Sequence, residues 1–406
     1  MIAAVAVVLL REPGASGPAA SPTPSETPVL TAATVLSESD VASLDPKATW
    51  QTALSQDVVD ANTPRPTCLT LDAEGVPLAR STQVQSLQRQ DDANSSVLHL
   101  AFEFTSAADA TSAAGLWTTQ LGTCDRPVSY LASGWDISGV GDEAAGVTAA
   151  VQDTTVINHV VMLSRSGPVV HVLDVSAPKN VPDVKKTTAI LGAAVDRTCG
   201  PAEATCSSSP GAKATVPPKT ADNPEFLADA DIPRITPGAG RWGGTDVATS
   251  FDFYGSQCEG KDLATVNGPK ERKHRAFLLQ EDSKAPETFG IDEFILTYDK
   301  KNGADGLVKD ISSSIDGCGK AMLTASVDKG DNISVTAADG KTKITGRTWT
   351  VTQQVNETTK QTYRIALVQA DAKVIFTLLP TTQGFDFSNG QWKAIAERAG
   401  LRAQRG

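Results

Sequence analysis

Leu36-Ser37-Glu38-Ser39-Asp40-Val41-Ala42-Ser43-Leu44-Asp45-Pro46 and Leu227-Ala228-Asp229-Ala230-Asp231-Ile232-Pro233-Arg234-Ile235-Thr236-Pro237 are one eleven-residue pattern met twice. Leu, Asp and Pro recur at matched positions, Val41 matches Ile232, and Leu44 matches Ile235. The offset is 227 − 36 = 191 throughout. Later landmarks keep nearly the same spacing: Trp50 and Trp242 (192), Cys68 and Cys258 (190), Asp109 and Asp305 (196), Cys124 and Cys318 (194). Drift of a few residues is what loop insertions produce, so the pattern reads as the opening of a tandemly repeated domain.

That reading divides the 406 residues into four parts. Residues 1–31 are a membrane-anchor remnant and tether, 32–206 the first repeat, 207–225 a linker, and 226–406 the second repeat. Met1 to Leu10 is apolar, but ten residues are too few for a span, which needs about 20, and no basic region precedes the run as in a cleavable signal. It reads as the outer end of a transmembrane or signal-anchor helix, with a disordered terminus as the alternative. Glu12 to Leu30 is rich in Pro, Ser, Ala and Thr, a composition with too little apolar surface to offset its ordering entropy. Ser207 to Asn223 has the same character and is expected to tether the repeats.

Within each repeat the apolar pattern predicts the same element order. In the first, Ser37 and Asp40 fit a capping box for a short helix. Val97–Phe104 alternates as a strand, and Ser106 and Asp109 start a helix with Ala110, Ala113, Ala114, Trp117 and Leu121 on one face. Strands Val147–Gln152, Ile157–Arg165 and Val169–Val175 follow, the last two turning at Ser166-Gly167, and a helix from Pro182 to Arg197 closes the unit. In the second, strand Phe294–Tyr298, helix Ala304–Asp316, strands Thr348–Val355, Thr362–Val368 and Lys373–Leu379, and helix Asn389–Ala399 repeat the order. Hairpin-linked strands with helices between and after them give an α+β fold: two tandem repeats, each an antiparallel sheet with packed helices.

Charge and motif content exclude several functions. A net charge of −11 argues against nucleic acid as a partner, because phosphate binding needs a basic surface. Residues 32–206 hold 20 Asp/Glu against 10 Lys/Arg, whereas 226–406 hold 23 against 23, so the repeats present different surfaces. Gly238-Ala239-Gly240-Arg241-Trp242-Gly243 spells GxGxxG, but Pro237 precedes it and no helix pattern follows, so no dinucleotide is expected there. Ser176-Ala177-Pro178-Lys179 spells SxxK without the companion motifs of that chemistry. No catalytic constellation stands out; neither an enzyme activity nor a cofactor is expected, and carboxylates clustered in a cleft would be needed to revive the idea.

No metal site is expected either. His99, His159 and His171 fall in strands of the first repeat; a two-residue loop at Ser166-Gly167 sets His159 opposite Asp174 and points His159 and His171 to opposite sheet faces. Lys270-Glu271-Arg272-Lys273-His274-Arg275, the densest basic run, reads as a solvated loop, with contact to anionic polymers or lipid headgroups as the alternative.

The order of a Leu-x-x-x-Asp-[Val/Ile] opening, a mid-domain Cys, a strand running into Ser/Asn-x-x-Asp, a helix ending at Cys, hairpins and a closing helix resembles the PknH-like extracellular sensor domain. That family is found outside the membrane in actinobacterial receptor kinases and in related lipoproteins and secreted proteins. The resemblance covers both repeats and implies an α+β domain with disulfides and a cleft for an envelope-derived ligand. Here the domain is doubled, and the second copy lacks counterparts of Cys199 and Cys206. Six cysteines and no CxxC suit an oxidising compartment better than zinc or thioredoxin chemistry. Six cysteines allow 15 connectivities, and duplication selects among them, since only pairing within repeats lets both copies share one bridge. The pairs expected are Cys68–Cys124, Cys258–Cys318 and Cys199–Cys206. The expected function is an extracytoplasmic, membrane-tethered sensor or binding module of the actinobacterial cell envelope, touching the membrane only through its N-terminal anchor. Its ligand or protein partner is not specified by the residues. The alternative is a structural or scaffolding envelope protein.

Overall fold

The computed structural model describes residues 29–235 and 239–405. The expected anchor remnant Met1–Leu10, most of the tether after it, and Gly238 of the GxGxxG stretch lie outside the described residues.

The first half runs α1 (Glu38–Val41), β1 (Trp50–Gln56), β2 (Ser81–Arg89), β3 (Ser96–Glu103), α2 (Ala107–Thr123), β4 (Ser129–Ser138), β5 (Glu143–Gln152), β6 (Val156–Ser166), β7 (Val169–Ala177), α3 (Val184–Cys199) and β8 (Gly211–Thr215). The second runs β9 (Arg241–Gly244), β10 (Glu271–Gln280), β11 (Gly290–Thr297), α4 (Lys301–Ala321), β12 (Ala325–Thr336), β13 (Lys343–Gln354), β14 (Lys360–Ala370), β15 (Lys373–Thr381) and α5 (Asn389–Arg405). Two antiparallel sheets result, ordered β1-β2-β3-β7-β6-β5-β4-β8 and β9-β10-β11-β15-β14-β13-β12. Apart from β8, the second order is the first one strand for strand. The fold is α+β, mostly sheet, and consistent with two repeats.

Each sheet is buried on both faces, which is why its central strands read as apolar runs. In the first half Leu98, Leu100 and Phe102 of β3 pack on Ala110, Ala113, Trp117 and Leu121 of α2. The opposite face, with Val97, Val160 and Val175, packs on Ile190, Leu191 and Val195 of α3. Trp117, whose ring lies 4.9 Å from that of Phe102, is fully buried, as is Ile311 at the matching place on α4. In the second half Phe294 and Leu296 meet Leu307, Ile311 and Ile315 of α4, and Ile291 and Ile295 meet Trp392, Ile395 and Ala399 of α5.

Three local expectations change. The hairpin after β6 turns at Gly167-Pro168, with Ser166 paired to Val169, so His159 sits opposite Ser176 and not Asp174. Gly167 takes a left-handed φ of +56°, a conformation the turn needs and a side chain would strain. The basic run is not a solvated loop: Glu271 to Arg275 belong to β10, a strand held between β9 and β11. Finally, the segment read as a tether is tied down. Gly211–Thr215 pairs with Gly134–Ser138 and closes the outer edge of the first sheet. An open edge offers unpaired N–H and C=O groups, and β8 supplies their partners despite its weak strand composition.

Candidate functional site

The repeated stretch has one task in both halves: it packs across its sheet and is clasped by buried polar groups. In the first half the Leu36 N–H donates to Nδ1 of His99 (3.2 Å), on β3. In the second the Leu227 N–H donates to Oε2 of Glu293 (3.0 Å), on β11. Both acceptors are fully buried. They are also equivalent, since Glu103 pairs Val169 and Thr297 pairs Lys373, an offset of 194 that carries His99 to Glu293. The Asp of each stretch turns back to cap it: the Ser37 N–H donates to Asp40 (2.6 Å) and the Ala228 N–H to Asp231 (2.9 Å). Each Asp then meets an arginine of the closing helix, Arg197 for Asp40 (2.5 Å) and Arg402 for Asp231 (2.7 Å).

Electrostatics separate the two clasps. Burial works to raise the Asp231 carboxyl, but Arg402 and Arg398 hold it below the ordinary carboxylate value; Asp40 is likewise held down by Arg197 and Ser37 against burial. Glu293 has no cation bonded to it, and burial pushes it up to about 8, against the opposing Leu227 N–H and Arg275 charge. Its Oε1 and the Oγ1 of Thr377, directly across the ladder, are both without a partner.

His99 opens a chain of hydrogen bonds: its Nε2 meets Nδ1 of His171 (3.1 Å), whose Nε2 meets Oγ1 of Thr198 (2.9 Å). Burial holds His171 down to about 4 and His99 well below its ordinary value, so both rings are neutral at pH 7. The Leu36 N–H can only donate, which forces Nδ1 of His99 to accept and sets both rings as Nε2–H tautomers. The sequence reading, which compared only His159 with His171 and set them on opposite faces, missed this contact because His99 comes from a different strand. The signal was present: a polar residue in mid-strand of both repeats at one offset.

The second clasp also joins the halves. Arg402 donates to Pro218 O (2.8 Å) and Gly122 O (2.9 Å) of the first half, and Arg398 donates to Ala132 O (3.0 Å). Arg405 donates to Pro217 O (2.9 Å). Gly122 accommodates the approach, since a Cβ there would come within 2.1 Å of Pro218 O.

Beside this seam lies a cavity of about 220 Å3 walled by both halves. Cys124, Asp125 and Arg126, just after α2, form one wall; Asp229, Arg234 and Arg241 form much of the other, with Arg275 of β10 and Asp222 of the connecting segment. Burial raises the Asp229 carboxyl, opposed by Arg275, whose Nη2 lies 3.9 Å away. Arg126 reaches back to Thr67 Oγ1 (3.2 Å), which contacts Nδ1 of His159 (3.0 Å); the same nitrogen contacts Asp174 (2.8 Å). A proton relay needs the acid and the hydroxyl on opposite ring nitrogens. Here both use one, so His159 is braced for structure.

The disulfides are Cys68–Cys124, Cys258–Cys318 and Cys199–Cys206, and no cysteine is free among the described residues. The first two tie the loop before β2 or β10 to the end of α2 or α4. Such bridges belong to oxidising compartments. Asp196, Cys199 and Cys206 could group around a metal, but the two sulfurs are bonded to each other. The GxGxxG letters run into β9, not a helix. No described helix is long and apolar enough to cross a membrane.

No family model and no curated protein matches the chain. Among solved structures, it is similar to the extracellular domain of PknH from Mycobacterium tuberculosis, at 13% identity and a TM-score of 0.31, over 41% of this chain and 94% of that one.

Proposed function

We propose that this chain is an extracytoplasmic ligand-binding module of a cell envelope, of the sensor type, held near a membrane by its N-terminal segment and without catalytic activity of its own. One observation carries the reading: a cavity whose walls come from both halves, set against the ion-paired seam that fixes them together. A ligand there touches the repeated stretch of the second half and the disulfide-bonded end of α2 at once. It would therefore report on, or stabilise, their relative position. Full bonding of the seam is what favours the second reading, a rigid scaffold with no small ligand.

A panel of soluble envelope fragments (muropeptides, hexoses, amino acids, inorganic phosphate) separates the two. The comparison is between the full chain and Ala221→Trp, which fills the cavity from an exposed position. A fragment that raises the melting temperature of the first protein but not of the second supports the module. Failure of every fragment, whatever its charge, leaves the scaffold.

A further inference from the structure

We infer that the junction cavity takes a small oxyanion, a phosphate or carboxylate group, with Arg234 as its central cation; the inference rests on the ligand-binding reading above. Arg234 is nine-tenths buried and lines the cavity. A buried guanidinium is normally paired with a carboxylate. Arg234 is not: Nη1 donates to Gln152 O (2.6 Å) and Nη2 to Gly240 O, both neutral carbonyls, and Nε has no partner. Asp153, Asp282 and Glu281 act on it only through space, and burial depresses its pKa, as expected of a cation lacking its counter-charge.

The surroundings lean the same way. Four arginines, 126, 234, 241 and 275, line the cavity against three aspartates, 125, 222 and 229, in a chain whose net charge is −11. Of the other three, Arg241 is bonded to Glu281 at the surface (2.9 Å), and Arg275 spends Nε and Nη1 on Thr245 O and Leu227 O. Arg126 donates to a hydroxyl and carries no carboxylate among the described residues. Two of the four cations are thus uncompensated, one on each side of the seam. A planar guanidinium pair matches an oxyanion's several acceptor oxygens, and a neutral ligand would leave the buried charge unanswered.

The test measures binding of inorganic phosphate and, separately, of succinate to the full chain by titration calorimetry, with chloride holding ionic strength constant. Saturable binding of either probe, weakened at least tenfold by Arg234→Gln, is the expected result, and the probe that binds identifies the group. Should Arg234→Gln not fold, Arg126→Gln on the exposed rim decides, with a weakening of at least threefold. No saturable binding of either probe, or binding that these substitutions leave unchanged, overturns the inference. A neutral or cationic fragment that protects the full chain but not Ala221→Trp overturns the oxyanion while leaving the ligand-binding reading intact.

Discussion

The two halves solve one problem with different chemistry. Each must hold the N–H of the leucine that opens its repeated stretch, deep in its core, and each does so from the third strand of its own sheet. The first half uses a neutral imidazole, His99, backed by His171 and Thr198. The second uses a carboxyl group, Glu293, with an unpartnered oxygen. An imidazole held neutral resists acid; a carboxyl held neutral resists base. The same backbone hydrogen bond therefore carries opposite proton linkage in the two halves.

The largest expected effect tests that contrast at Glu293. Its folded value of about 8 lies above the ordinary 4.5, so its protonated form is favoured by folding. Stability from this site is full below pH 4.5 and falls as pH rises through 8, by about 5 kcal/mol if the whole shift is realised. Glu293→Gln cannot ionise and keeps an acceptor for the Leu227 N–H. Denaturant unfolding from pH 5 to 9 should show the full chain losing stability relative to this variant as pH rises. Parallel curves would mean that Glu293 is ionised in the folded protein.

The second comparison sets the two clasps against each other. Asp231 and Arg402 are fully buried, and Arg402 also holds two carbonyls across the seam, whereas Asp40 and Arg197 are partly exposed. Removing one partner of a buried pair costs about 3–5 kcal/mol where the other charge is left unpaired, and Arg398, which stays bonded to Asp231, keeps the loss of Arg402 toward the lower figure. A partly exposed pair is worth about 1 kcal/mol or less. Arg402→Met should therefore destabilise far more than Arg197→Met, and should split a single unfolding transition into two as the halves come apart. Equal costs, or one transition in both variants, would place the coupling of the halves elsewhere.

How much of this was legible follows from the physics of each element. Strands and helices with a clean apolar period, such as β3 and α2, were readable within a few residues because burial dictates the pattern. Strand β2 was not: its apolar residues Val84 and Leu87 stand three apart and face opposite sides of a sheet covered on both. The charged start of β10 hid it, since Lys273 is carried by Glu225 and His274 by Asp292, partners supplied only by the fold. Strand β8 exists because an edge needed covering, which its own composition does not announce. Two of the disulfides, Cys68–Cys124 and Cys258–Cys318, join the cysteines that duplication matches, and the third joins the pair left over, Cys199 and Cys206. The cavity was out of reach, because Arg126 and Arg234 line it from opposite sides of a seam whose bonds, such as Arg402 to Gly122, join residues 280 apart in the chain.

The smallest of the three effects lies at the imidazole pair. Burial holds His171 at about 4 against an ordinary 6.5, so folding favours its neutral form. The associated stability is present above pH 6.5 and is lost as pH falls toward 4, up to about 3 kcal/mol from this ring. His99 adds in the same direction, its charge disfavoured by burial and by the nearby His171. No carboxylate bonds to either ring; the groups that do are the Leu36 N–H and the Thr198 hydroxyl, and the hydroxyl donates its own hydrogen bond to Val195 O (3.1 Å). A proton added to His99 would have to sit on Nδ1, facing an N–H, and one added to His171 would face the Nε2–H of His99. Each addition costs a hydrogen bond as well as desolvation, so both rings stay neutral in the folded chain until the pH falls toward 4. Nitrogen-15 spectra of the histidine rings read this directly. Both should remain neutral Nε2–H tautomers in the folded protein from pH 7 down toward 4. A ring that protonates near 6.5 in the folded protein, or a His171 carrying its proton on Nδ1, would break the contrast with Glu293.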